Sequence, residues 1–119
     1  MIINPREDGY HLNPVRWGYK PEWWDKPALI NARSETASSS RMFKPLWKTV
    51  RAIVPASGWF EWMRNGNVKQ PYFIHHRDSK PLFFAAIGHV LDKEDAAQGF
   101  VIITAESNKG LVDIHDRIP

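Results

Sequence analysis

Three side chains in this 119-residue sequence have the character of general acid, base and hydrogen-bonding groups, and each sits in a context that favours such work. In Trp59-Phe60-Glu61-Trp62, strand alternation puts Glu61 on the same face as Trp59 and Met63, and a carboxylate hemmed by apolar bulk is less comfortable in its charged form. His115 is followed by Asp116 and Arg117, a compact set able to move a proton and hold an anion at the end of an element. Asn31 can hydrogen-bond a sugar or backbone group, and Arg33, two residues on, points to the same side of an extended chain to meet a phosphate. Glu61 and His115 also have plainer readings: an exposed strand glutamate and a histidine tying down a helix end. His75 and His76 are adjacent, so in a strand they face opposite ways. With no Cys in the chain there is no thiolate ligand, disulfide or cysteine nucleophile, and no metal or other cofactor is expected.

The surroundings suit a polyanion. Residues 1–60 hold nine Lys and Arg against five Asp and Glu, whereas residues 61–119 hold seven against eight. Arg33, Arg41, Lys44, Lys48 and Arg51 face only Glu35 within the basic half. All six Trp lie in the first 62 residues: Trp17, Trp23, Trp24, Trp47, Trp59 and Trp62. Planar rings among phosphate-neutralising cations make a surface that stacks unpaired bases and grips their backbone, although a solvated basic face over a Trp-rich core has the same composition. A Trp-lined carbohydrate site would explain the rings and leave the arginines near Asn31 without a purpose.

The elements that must position these groups read mostly as strands. Val15 to Tyr19, Leu29 to Arg33, Arg51 to Val54, Gly58 to Met63, Pro71 to His75, Leu82 to Ile87 and Phe100 to Thr104 carry the β-favouring residues, with Pro55 at an edge or bend and Asn65-Gly66 as a hairpin turn. Pro21 to Pro27 reads as an irregular loop. One short helix starts near Met42, with Pro45 in its first turn, and a second runs from Ser107 through Val112. The expected fold class is α+β, one domain over residues 1–119: a curled, barrel-like, mostly antiparallel sheet with short helices. No run approaches the roughly 18 apolar residues of a membrane span, and MIINPREDGY lacks the pattern of a secretory signal, so a soluble, cytoplasmic, nucleoid-associated protein is expected.

Asn31-Ala-Arg-Ser-Glu-Thr36, Val54-Pro-Ala-Ser-Gly-Trp-Phe-Glu-Trp62, Lys69-Gln-Pro-Tyr-Phe-Ile74 and Ile114-His-Asp-Arg117 with Pro119 closely resemble the SOS-response-associated peptidase (SRAP) family, in order and near spacing. The resemblance implies a protein that binds single-stranded DNA at an abasic site and links itself to the sugar aldehyde through an N-terminal Cys, giving a thiazolidine. It implies catalytic roles for Asn31 (sugar or N-terminal residue), Glu61 (proton transfer in ring opening and imine formation) and His115 (sugar hydroxyl and reversal). It implies DNA contacts by Arg33, Arg41 and Arg117 to phosphates, by Trp23 and Trp24 as a wedge or stacking surface, and by Thr104 as a further backbone contact. Here residue 2 is Ile2, and the family's Met-Cys-Gly-Arg start and C-terminal part are not in the sequence. A domain shortened at both ends is therefore expected, inactive or weakly active, with unpaired sheet edges. The alternative expectation is a non-catalytic remnant that self-associates through those edges or only binds DNA. For the peptidase chemistry in the family's label, the chain offers no evident nucleophile.

Overall fold

A computed structural model of the chain describes residues 1–88, 99–107 and 115–119. Among them, seven strands form one sheet, ordered β2-β1-β4-β7-β8-β3 with β9 also paired to β8, and two form a separate hairpin, β5-β6. The strands are β1 (Ile2–Arg6), β2 (Gly9–Asn13), β3 (Asn31–Arg33), β4 (Arg51–Ala56), β5 (Trp59–Asn65), β6 (Val68–Ile74), β7 (Leu82–Gly88), β8 (Phe100–Glu106) and β9 (Arg117–Ile118), with helix α1 (Lys44–Thr49) before β4. The pairings are antiparallel except β3 with β8, and the sheet does not close into a barrel. Among the described residues no helix is long and apolar enough to cross a membrane.

Strand alternation divides the core. Along β8, Val101 is buried among Ala32, Ala37, Met42, Phe43, Leu46 and Ile87, with Ile103 packed against that cluster. Phe100 and Ile102 are buried on the other side with Ile2, Ala52, Phe84 and Ala86. The first cluster is the α1 side. Pro45 sits in the first turn of α1, where its missing N–H costs nothing, and Lys48 lies in the last turn beside the negative end of the helix dipole. β3 obeys the same period, so Ala32 goes to the α1 side while Asn31 and Arg33 go to the other.

Several segments differ from the sequence expectation. Ile2 to Asn13 forms a hairpin that its polar, proline-containing sequence does not announce. Ile2 and Asn4 are buried on its inner side, and the Asn13 amide donates to Asn4 Oδ1 at 2.7 Å. Val15 to Tyr19 is no strand but two single bridges, Trp17 to Phe100 and Tyr19 to Leu29. β4 runs through Pro55, opposite Phe83. Its second neighbour β1 is in register only at Ile53, so the missing N–H falls where β4 is in effect an edge. β6 begins at Val68 and passes through Pro71, again on an edge. The turn closes between Asn65 and Val68, putting Gly66 and Asn67 at its centre, with Gly66 at φ +63°. The helix expected from Ser107 to Val112 lies, after Ser107, outside the described residues.

The segment before β3 is held by a close approach of backbones. Gly18 N donates to Phe100 O at 2.9 Å and Phe100 N to Arg16 O at 3.1 Å. A Cβ on Gly99 would stand 1.9 Å from Gly18 O and 2.7 Å from Arg16 O, so no side chain fits there.

Candidate functional site

On the side of the sheet away from α1, a cavity of about 830 Å³ collects residues from distant parts of the chain. Asn31 and Arg33 of β3, Glu61 of β5, Thr104 of β8 and His115 and Arg117 at β9 all line it. The parallel β3-β8 register sets Asn31 against Ile102 and Arg33 against Thr104, so the inward positions of both strands fall in line. Val54, Phe84, Phe100 and Trp17 supply apolar wall.

Glu61 reaches this cavity through Trp59. The Trp59 ring packs edge-on against Phe84 of the main sheet, centroids 5.8 Å apart at 83°, which ties the hairpin root to the sheet. Trp59 Nε1 donates to Glu61 Oε1 at 3.2 Å, as two residues on one strand face can. Glu61 is half-buried. The adjacent Gly58 is demanded by crowding, since a Cβ there would lie 2.3 Å from Ile74 O.

His115 is fixed at Nδ1. Arg117 N donates to it at 3.0 Å, Arg117 O lies 3.0 Å away and Asp116 Oδ1 3.3 Å away. Ser107 Oγ donates to His115 O. Nε2 has no protein partner among the described residues and is the ring nitrogen free to meet a ligand. Asn31 likewise carries no side-chain hydrogen bond there. Its amide presents both a donor and an acceptor.

Arg117 is more heavily committed. Its Nε donates to Thr104 Oγ1 at 3.1 Å, and its Nη2 donates to Thr104 O at 2.7 Å and to Glu35 Oε2 at 2.9 Å. Nη1 adds a long 3.4 Å contact to Glu35 Oε1. The guanidinium thus clamps β9, β8 and the turn after β3 together, with little capacity left for a phosphate. The hydrogen bond from Arg117 holds the Glu35 carboxyl below the usual carboxylate range. A carboxylate lowered in the folded state adds stability that is complete above its unfolded value and is lost as pH falls through its folded value. Replacing Arg117 by Ala is expected to lower the unfolding free energy in urea by about 1–3 kcal/mol through the lost bonds to Thr104. The stability of Glu35→Gln should converge with that of the wild type as pH falls through the Glu35 titration. A constant gap from neutral to acid pH would contradict the ion-pair account.

Trp23, Trp24 and Arg41 do not line the cavity and make a cluster of their own. The two Trp rings meet edge to face at 6.0 Å and 84°, and the Arg41 guanidinium lies 4.3 Å over Trp23. Trp24 is half-buried against the α1-side core and donates Nε1 to Pro27 O at 2.9 Å, whereas Trp23 is 48% exposed. Trp17 is a cavity residue that sequence reasoning did not single out. Its Nε1 donates to Ile30 O at 2.9 Å, and the hints in the sequence are its place among the six clustered Trp and its two-residue spacing from Val15, which lines the same cavity. Glu35 was legible only as the lone acid in a basic stretch, because its partner is 82 residues away. Among the described residues no three His, Asp or Glu side chains gather in a metal-binding group.

Residues 1–119 match the sequence model of the family described as SOS response associated peptidase (SRAP). The chain is 57% identical over 120 residues to the abasic site processing protein YedK of Escherichia coli (strain K12), covering 100% of this chain and 54% of that protein. It is 34% identical to the abasic site processing protein YoaM of Bacillus subtilis (strain 168), covering 99% of this chain and 55% of the relative. Its fold is similar to that of a phage-related protein of Bordetella bronchiseptica, with a TM-score of 0.79 and 36% identity over 99% of this chain and 58% of that one. The chain thus spans about half the length of these relatives.

Proposed function

The chain belongs to the SOS-response-associated peptidase (SRAP) family, and from that premise we propose that it is a DNA-repair domain that binds single-stranded DNA at abasic sites. The observation that supports this reading best is the meeting of Asn31, Glu61 and His115 with Arg33 in one cavity, although they stand up to 84 positions apart in sequence. An abasic deoxyribose offers a ring that opens to an aldehyde, a hydroxyl and flanking phosphates. Asn31 binds the sugar, Glu61 moves the proton that opens the ring, His115 Nε2 addresses a sugar hydroxyl and Arg33 meets a phosphate. The apolar wall excludes water where a base would otherwise fill space. Trp23 with Arg41 over its ring serves the strand outside the cavity, and Arg117 acts first as the clamp that shapes the phosphate side. A protein with such a substrate works beside DNA in the cytoplasm.

The test is fluorescence anisotropy of a labelled single strand carrying one tetrahydrofuran abasic analogue, against an undamaged strand, over a salt series. Preference for the analogue and a steep salt dependence are expected, with Arg33→Ala reducing the log–log slope by roughly 0.7 for one phosphate lost. Equal affinity for both strands, or a flat salt profile, would overturn the reading.

A second reading is favoured by a specific row of residues on the α1 side of the sheet. Leu12, Ile3, Ile53 and Ala85 are cross-strand neighbours, as are Pro55 and Phe83, and Leu12, Ile53 and Phe83 are all exposed. A non-catalytic module would use that row for self-association. Light scattering showing a stable oligomer together with weak DNA binding would select it.

A further inference from the structure

The β5-β6 hairpin carries a second surface, on the face opposite Glu61. Its register places Phe60 across from Phe73, Trp62 across from Pro71 and Arg64 across from Lys69. Directly opposed residues share a face, so these three rungs make one strip about 13 Å long from root to tip. The aromatic members are unusually open: Phe60 is 65% exposed, Trp62 56% and Phe73 47%. Phe60 and Phe73 meet at 4.9 Å, and the His75 ring stacks on Phe73 at 5.5 Å and 21°. Among the described residues neither Arg64 nor Lys69 meets a carboxylate, and both border a shallow depression at the hairpin tip.

We propose that this strip is a stacking track for the unpaired bases of the strand leaving the cavity, with Arg64 and Lys69 gripping its backbone. The inference rests on the reading of the cavity as a single-strand site. Two features of the strip point to nucleic acid. Planar open rings followed by unpaired cations are the complement of bases followed by phosphates. The strip is also continuous with the cavity, since Phe60 lines it and Glu61, the next residue, turns into it. A second copy of the chain is a poorer occupant. A two-fold contact through this face repeats the same patch on both partners, and so sets the cation pair of one against a face with no acid to answer it.

The experiment measures the affinity of the full chain for two labelled single strands with a tetrahydrofuran abasic analogue, one short enough to fill only the cavity and one running past it. Trp62→Ala should weaken the long strand roughly tenfold and leave the short one nearly unchanged. Arg64→Ser with Lys69→Ser should lower the salt slope of the long strand by roughly one or more. Because Trp62 is more than half exposed, its loss opens no core. Quenching of tryptophan fluorescence by the long strand should shrink in Trp62→Ala. If both variants bind the long strand as the wild type does while Arg33→Ala still weakens it, the track is wrong and the cavity reading stands. If Arg33→Ala also changes nothing, both fall. A dimer abolished by Trp62→Ala at unchanged DNA affinity would assign the strip to a second copy and overturn the proposal.

Discussion

Mixed with abasic single-stranded DNA, the 119-residue chain is expected to form no adduct that survives boiling, and to form one that denaturing gels detect only after borohydride is added. A thiazolidine needs an amine and a thiol on one residue: the amine condenses with the aldehyde and releases water, and the thiol then adds to the imine carbon. This sequence contains no Cys, so the second step has no reagent. An imine formed by a lysine or N-terminal amine hydrolyses back, whereas hydride addition to its C=N bond leaves a stable secondary amine. Met1 lines the same cavity as Glu61 and His115, which makes its peptide the first place to look for the trapped mass. Glu61→Gln should reduce the trapped yield if the carboxyl delivers the proton for ring opening. A heat-stable adduct without reductant would mean that a nucleophile other than a thiol completes the link, and the chemistry proposed for this site would have to be abandoned.

Gly99→Ala should produce the largest loss of stability for the smallest change in mass. The added methyl would meet the backbone oxygens of Gly18 and Arg16, neither of which is the far end of a flexible side chain. Relief requires the segment carrying Trp17 to leave β8 and give up the bonds between Gly18 and Phe100 and between Phe100 and Arg16. Overpacking costs about 1–3 kcal/mol, and each forfeited hydrogen bond about 1 kcal/mol more. In a chain of this size the thermal midpoint should fall on the order of 10 °C. Because Trp17 lines the cavity, affinity for the abasic strand should fall with it. A midpoint within roughly 2 °C of the wild type would show that the two backbones are not so closely apposed.

What could be read from the residues alone was whatever short-range pattern encodes. Alternation and a glycine turn announced the β5-β6 hairpin, and Pro45 marked the first turn of α1. The same alternation put Glu61 beside Trp59, which the indole hydrogen bond bears out. The β1-β2 hairpin escaped because its inner face is built partly from Asn4, a polar residue whose burial depends on Asn13 across the turn. The pairing of β3 with β8 joins residues 71 positions apart in parallel, and nothing local to either strand specifies its partner. The site depends on that pairing. Asn31 and Arg33 could be proposed from motif resemblance, but their place opposite Ile102 and Thr104 is a property of the sheet. Likewise the basic and aromatic residues before position 62 read as one surface, whereas Arg41 and Trp23 form a stacked pair outside the cavity.

The alternation of β8 also governs how the sequence can drift. Its odd positions, Val101 and Ile103, face the α1-side cluster and answer only for volume, so a scan of all substitutions should tolerate apolar exchange there and penalise polarity. Its even positions, Phe100, Ile102 and Thr104, line the cavity and answer for ligand shape as well as for packing. Fitness along this strand should therefore oscillate with a period of two, stability selection on one beat and binding selection added on the other. Variants on the two beats should be separable by whether added abasic DNA rescues their folding.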